Sequence, residues 1–96
     1  MLFHVTMDVR IPTDLPTASA DKLKADERAL AQELQETGKW RHLWRIAGRY
    51  ANVSIFAVDS ADELNAILFS LPLFPFMTVA VTALCQHPSA IADDTQ

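Results

Sequence analysis

Residues 42–58 read HLWRIAGRYANVSIFAV, two extended runs on either side of a turn around Gly48. Aromatic and β-branched side chains favour the pleated backbone in both runs, which predicts strands over His42–Ala47 and Asn52–Val58. Outward from this hairpin the chain is symmetrical in kind. On the N-terminal side, Thr17 or Ser19 can cap a helix that runs to about Thr37, with Gly38 free to take the left-handed position after it. Ahead of that helix, Phe3, Val5, Met7 and Val9 alternate with His4, Thr6 and Asp8, the period-two pattern of a half-buried strand from Leu2 to Val9 that Pro12 and Pro16 bring to an end. On the C-terminal side, Ser60 and Glu63 have capping-box spacing, Leu64, Ile67, Leu68 and Leu71 form an apolar stripe, and Pro72 stops the helix. Met77–Leu84 alternates again as the last strand, and a polar tail from Gln86 to Gln96 is expected to gain order from a neighbouring subunit.

The order β-α-β-β-α-β with short connections predicts one α+β domain over residues 1–96. Its form is a ferredoxin-like sandwich with both helices on one face of a four-stranded antiparallel sheet. Phe3, Val5, Met7, Val53, Ile55, Val79 and Val81 are expected on the helix-facing side. His4, Thr6, Asn52, Ser54, Phe56, Thr78 and Thr82 are expected on the other, a mixture suited to packing on a second sheet in a dimeric α/β barrel. The apolar connector LPLFPF, Leu71–Phe76, also favours contact between subunits. A 96-residue chain buries only about 60–65% of its unfolded surface, so association would add needed stability.

Composition removes several function classes. With 50% hydrophobic and 21% charged residues the chain is globular, and its net charge of -4 argues against nucleic acid or an anionic membrane as partner. A lone Cys85 rules out a disulfide framework or a cysteine-rich metal site. His4, His42 and His87 are scattered without the helical spacing of metal ligands, so no metal is expected. Two glycines, Gly38 and Gly48, cannot build a phosphate-binding loop. The opening MLFHVTMDV lacks the basic and apolar regions of a secretory leader, and no segment is as long and apolar as a membrane span, which together lead to the expectation of a cytoplasmic protein.

Two features carry chemistry. Leu23, Glu27, Leu30 and Leu34 follow the i, i+4, i+7, i+11 spacing of one helix face, which places a carboxylate inside an apolar stripe. Such a group is either paired with an Arg or Lys of a neighbouring element or desolvated, and in the second case its pKa rises toward the range useful for proton transfer. The second feature is the run Lys39, Trp40, Arg41, His42, Trp44, Arg45, in which cations and aromatics interleave. It is read either as a site for a small organic anion, matched by the forked donors of Arg, or as surface ion pairs beside packing tryptophans.

The run WRHLWRIAGRYANVSIF from Trp40 to Phe56, the opening MLFHV, the helix segment LKADE from Leu23 to Glu27, and LPLFPF followed by a strand and HPS at His87–Ser89 closely resemble the muconolactone Δ-isomerase family. The resemblance covers nearly the whole chain and diverges in the loop Ile11–Ala20 and after Ala90. It implies a cofactor-free isomerase of the β-ketoadipate pathway that converts muconolactone to 3-oxoadipate enol-lactone, and a homodecamer built from dimers. On that chemistry Glu27 is the candidate base, with His4 and His42 as alternatives. Lys24, Arg41 and Arg45 are candidates for holding the substrate carboxylate or a developing oxyanion, and Trp40 and Tyr50 for walling the pocket. Two other functions suit the same fold: a ligand-binding regulatory module, and a cofactor-free monooxygenase.

Overall fold

Leu2–Val9 is the strand around which the sheet is organised. In the computed structural model, which describes residues 1–92, this strand (β1) pairs antiparallel with β3 (Ala51–Ala57) on one side and β4 (Met77–Leu84) on the other. β2 (Trp40–Arg45) adds to the far edge of β3, giving the order β2-β3-β1-β4. The helices α1 (Thr17–Glu36) and α2 (Ala61–Ser70) connect β1 to β2 and β3 to β4, as the β-α-β-β-α-β reading requires. Residues 93–96, the end of the tail expected to be ordered by a neighbour, lie outside the described residues.

Local chemistry sets the ends of these elements. Gly38 (φ 83°) follows α1 in the left-handed region and turns the chain into β2, as its spacing predicts. The start of α1 differs from expectation: the helix begins at Thr17 itself, with Pro16 at the cap position and no side-chain cap. The Pro16 carbonyl accepts from the Ala20 N–H at 3.0 Å, so the rigid φ of proline, here -56°, sets the first turn in place of a hydroxyl. At α2, Ser60 Oγ accepts from the Glu63 N–H at 3.1 Å, while Glu63 reaches back to the N–H of Asp59, one residue earlier than a regular capping box. The β2–β3 turn closes at Ile46–Arg49 with Gly48 at φ 80°, and β2 lies two residues earlier than the sequence indicates, with a bulge between Trp40 and His42.

One core lies between the helices and the sheet. Phe3, Val5 and Met7 from β1 meet Ala31 of α1 and Leu64 and Leu68 of α2, closed by Trp40 and Phe56 with ring centroids 4.8 Å apart. Val79 and Val81 share this side through their pairing with Met7 and Val5, as expected. In β3 the expected facing is inverted. Phe56, Ser54 and Asn52 stand opposite Phe3, Val5 and Met7 and so face the helices, while Val53 and Ile55 face the open side. Burying Phe56 against Trp40 outweighs burying two β-branched residues, because Val53 and Ile55 remain half-covered on the other face. A consequence for function is that two polar side chains, Asn52 and Ser54, point toward the helix side.

Candidate active site

Between α1 and the strands β2 and β3 lies a cleft of about 660 Å³, with Leu73 and Met77 also in its lining. The helix contributes Lys24, Glu27, Arg28, Ala31, Gln32 and Gln35 to its wall. Glu27 sits where the stripe places it, half-buried, and its Oε1 accepts from the backbone N–H of Leu73 at 3.0 Å. No Lys or Arg pairs with it among the described residues. Desolvation raises the Glu27 pKa above its ordinary value, and the bond from Leu73 offsets only part of that rise. The apolar connector thus acts on the carboxyl directly: one oxygen is held by the Leu73 amide, and the other has no hydrogen-bond partner among the described residues.

A cationic rim stands in the same cleft. Tyr50, in the β2–β3 turn, has Lys24 Nζ 5.9 Å and Arg45 Cζ 5.2 Å from its ring centroid, close enough for cation–π attraction to gather both charges at one place. Neither cation meets a carboxylate among the described residues. Trp40, 2% exposed, lines the cleft with its ring, while its Nε1–H is covered and without an acceptor among the described residues. An anion bound beside Tyr50 would therefore meet two unpaired cations at one end of a pocket that holds a desolvated carboxyl.

The structure brings together five of the residues singled out in the sequence, Lys24, Glu27, Trp40, Arg45 and Tyr50, and places the others elsewhere. Arg41 sits at the bulge of β2 and is outside the cleft lining. His4 and His42 lie in register with Ile55 on the open face of the sheet, with His42 stacked on Trp44 at 5.0 Å, so the sheet separates both imidazoles from Glu27. Asn52 and Arg28 line the cleft and were missed. Asn52 becomes visible only once the facing of β3 is known, and Arg28 sits beside Glu27 at a position that reads as solvated. Among the described residues no group of three or more His, Cys, Asp or Glu side chains converges as metal ligands, and no helix is long and apolar enough to cross a membrane.

Comparison with known proteins places the chain in a family. Residues 1–90 match the family model described as muconolactone delta-isomerase. The chain is 58% identical over 94 residues to muconolactone Delta-isomerase 1 of Acinetobacter lwoffii, and 57% identical over 94 residues to muconolactone Delta-isomerase of Pseudomonas putida, in each case covering 98% of both chains. The crystal structure of a muconolactone isomerase at 3.3 Å resolution superposes with a TM-score of 0.94, at 56% identity and complete coverage of both chains. A match of that length in sequence and in fold leaves no part of the domain unaccounted for: the chain belongs to the muconolactone Δ-isomerase family.

Proposed function

We propose that this chain isomerises muconolactone to 3-oxoadipate enol-lactone, with Glu27 carrying the proton between two ring carbons. The observation that supports this most strongly is the state of Glu27: desolvated, without a cationic partner among the described residues, and held by one oxygen at the wall of a cleft. Glu27 takes the proton from the γ-carbon. The C–H electron pair becomes the β,γ double bond, and the former α,β pair moves toward the ring carbonyl as a dienolate. The carbonyl then re-forms as the α-carbon takes the proton back from the same carboxyl. Lys24 and Arg45 hold the acetate side chain beside Tyr50, which orients the ring over Glu27. The shift involves no net redox change and one carboxyl carries the proton, so this reading requires no cofactor. It works in the cytoplasm on a small lactone carboxylate, as a step of the β-ketoadipate pathway.

The test is conversion of muconolactone followed optically in deuterated water, with and without a chelator. One shielded carboxyl returning its own proton gives product labelled at the α-carbon to less than full extent, with no oxygen uptake and no effect of the chelator. Absence of lactone isomerisation overturns the assignment, and oxygen consumption moves the chain to the monooxygenase class.

Self-association is part of the same reading. Trp44 is 55% exposed on the open face of the sheet, beside half-covered Val53 and Ile55, and Leu84, in register with Leu2 on the same face, is exposed at the end of β4. Apolar surface of this extent on a small domain supports sheet-to-sheet dimers, with the tail beyond β4 reaching a neighbour and dimers assembling into a decamer. Sedimentation at micromolar concentration should therefore show dimers at least, and a well-folded monomer would contradict the packing argument.

A further inference from the structure

Ser54 is the only polar residue among the described members of the buried set, with no exposed surface, in register with Val5 in the middle of the sheet. A hydroxyl at such a position costs stability unless it is bonded, and alanine would fill the site without that cost. The Ser54 Oγ–H donates to Asn52 Oδ1 at 2.8 Å, two residues back on the same face of β3. In this structure the bond turns the amide with Oδ1 toward Ser54; a hydroxyl can also accept, so the donating sense of Ser54 is what a positioning role requires. With Oδ1 occupied by Ser54, the two Nδ2 hydrogens lie at the opposite corner of the amide, and Nδ2 has no protein acceptor among the described residues. Asn52 lines the same cleft as Glu27.

Resting on the isomerase reading, we propose that Asn52 Nδ2 donates a hydrogen bond to the ring carbonyl oxygen of the lactone as the dienolate charge develops, and that Ser54 is the positioning residue that keeps this donor turned toward the cleft. Several other donors of the pocket are less suited. Lys24 and Arg45 are gathered at Tyr50, where the substrate carboxylate goes, and the Trp40 Nε1–H is covered. Arg28 and Gln32 are exposed residues of α1 that would have to be ordered on binding, and the Gln35 Nε2–H already donates to the Ala31 carbonyl. A donor already oriented by a buried partner needs no reorganisation when charge appears, which is the condition under which such a bond accelerates a reaction most. A half-turn of the Asn52 amide would instead present an acceptor to the oxyanion, so losing the Ser54 hydroxyl should matter to rate although it touches no substrate.

The experiment is a double-mutant cycle on the full chain with muconolactone as substrate. Asn52→Leu, close in shape and without a donor, should lower kcat about 10²-fold with KM within about threefold of wild type. Ser54→Ala should lower kcat about 3–10-fold with a melting temperature at or near that of wild type, and the double variant should be no slower than Asn52→Leu alone. Asn52→Ala is the companion variant if the leucine crowds the cleft. Wild-type kcat in a folded Asn52 variant overturns the donor role. Multiplying effects in the double variant, or a Ser54→Ala enzyme that loses stability but not kcat, overturns the positioning role. An enzyme whose wild type does not turn over muconolactone removes the reading beneath both, and that result is distinct from a wild type that works and an Asn52 variant that works equally well.

Discussion

Glu27→Gln should lower kcat by at least about 10²-fold, the lower end of what a positioned acid–base group contributes, and should do so without unfolding the protein. Glutamine keeps the shape and an oxygen that can still accept from the Leu73 N–H, but it cannot take a proton. Burial raises the Glu27 pKa, and two consequences of opposite sense follow from that direction. For stability, the native state holds the Glu27 proton more tightly than the unfolded chain does. The carboxyl therefore subtracts stability as pH rises from the unfolded pKa to the raised one, and the deficit stays constant above it. The Gln variant should then melt at or above the wild-type temperature at neutral pH, and its advantage should vanish in acid below both values. For activity, the base must be unprotonated, so kcat/KM should fall as pH drops through a limb whose midpoint lies above the ordinary carboxylate value. Near wild-type turnover in Glu27→Gln would place the base elsewhere. A limb in the ordinary carboxylate range would mean that the carboxyl is solvated when substrate binds.

How far the sequence could be read depended on how much the two sides of each element differ. β1 and β4 alternate apolar with polar residues, so their facing and their ends were legible, and Glu27 stood out because an acid in an apolar stripe breaks a strong pattern. β3 gives a contrast that misleads, because Phe56 falls on the polar side of its alternation. Asn52 and Ser54 alternate with Val53 and Ile55, and ordinary bookkeeping puts the β-branched pair inward. The pairing of Phe56 with Phe3 decides otherwise, and a contact between strands separated by a helix is not visible in local pattern. The same inversion hid Asn52, which looked like a residue of the open face. Boundaries failed where a single residue does the work: proline rather than a hydroxyl starts α1, and a bulge at Arg41 shifts β2 so that Arg41 and Arg45, equivalent in the sequence, end in different places. Arg45 stood out in the run of cations and aromatics and Lys24 was nominated on the chemistry that the family resemblance implies, but only the fold brings both to Tyr50.

That convergence on Tyr50 sets the second large effect. Arg45→Met should raise KM about 10–10²-fold, the range expected when a hydrogen-bonded ion pair worth about 1.5–3 kcal/mol is lost, and should weaken inhibition by small dicarboxylates in parallel. Because the acetate carboxylate, joined to the γ-carbon through one methylene, takes up no charge during proton transfer, its binding energy changes little between ground and transition state, so kcat should change much less than KM. Arg45→Lys should recover only part of the loss, since an ammonium keeps the charge but not the planar fork that grips both carboxylate oxygens. Lys24→Met should shift KM in the same direction, and Arg41→Met, at the bulge outside the cleft, should shift it far less. The comparison of Arg41 with Arg45 is the informative one: both are cations of the same strand, so general attraction of an anionic substrate would make their variants alike. Only a clamp located at Tyr50 makes them differ. Equal, small changes in KM for all three Met variants would return these cations to the solvated surface and leave the substrate carboxylate to be held by Arg28 or by a neighbouring subunit.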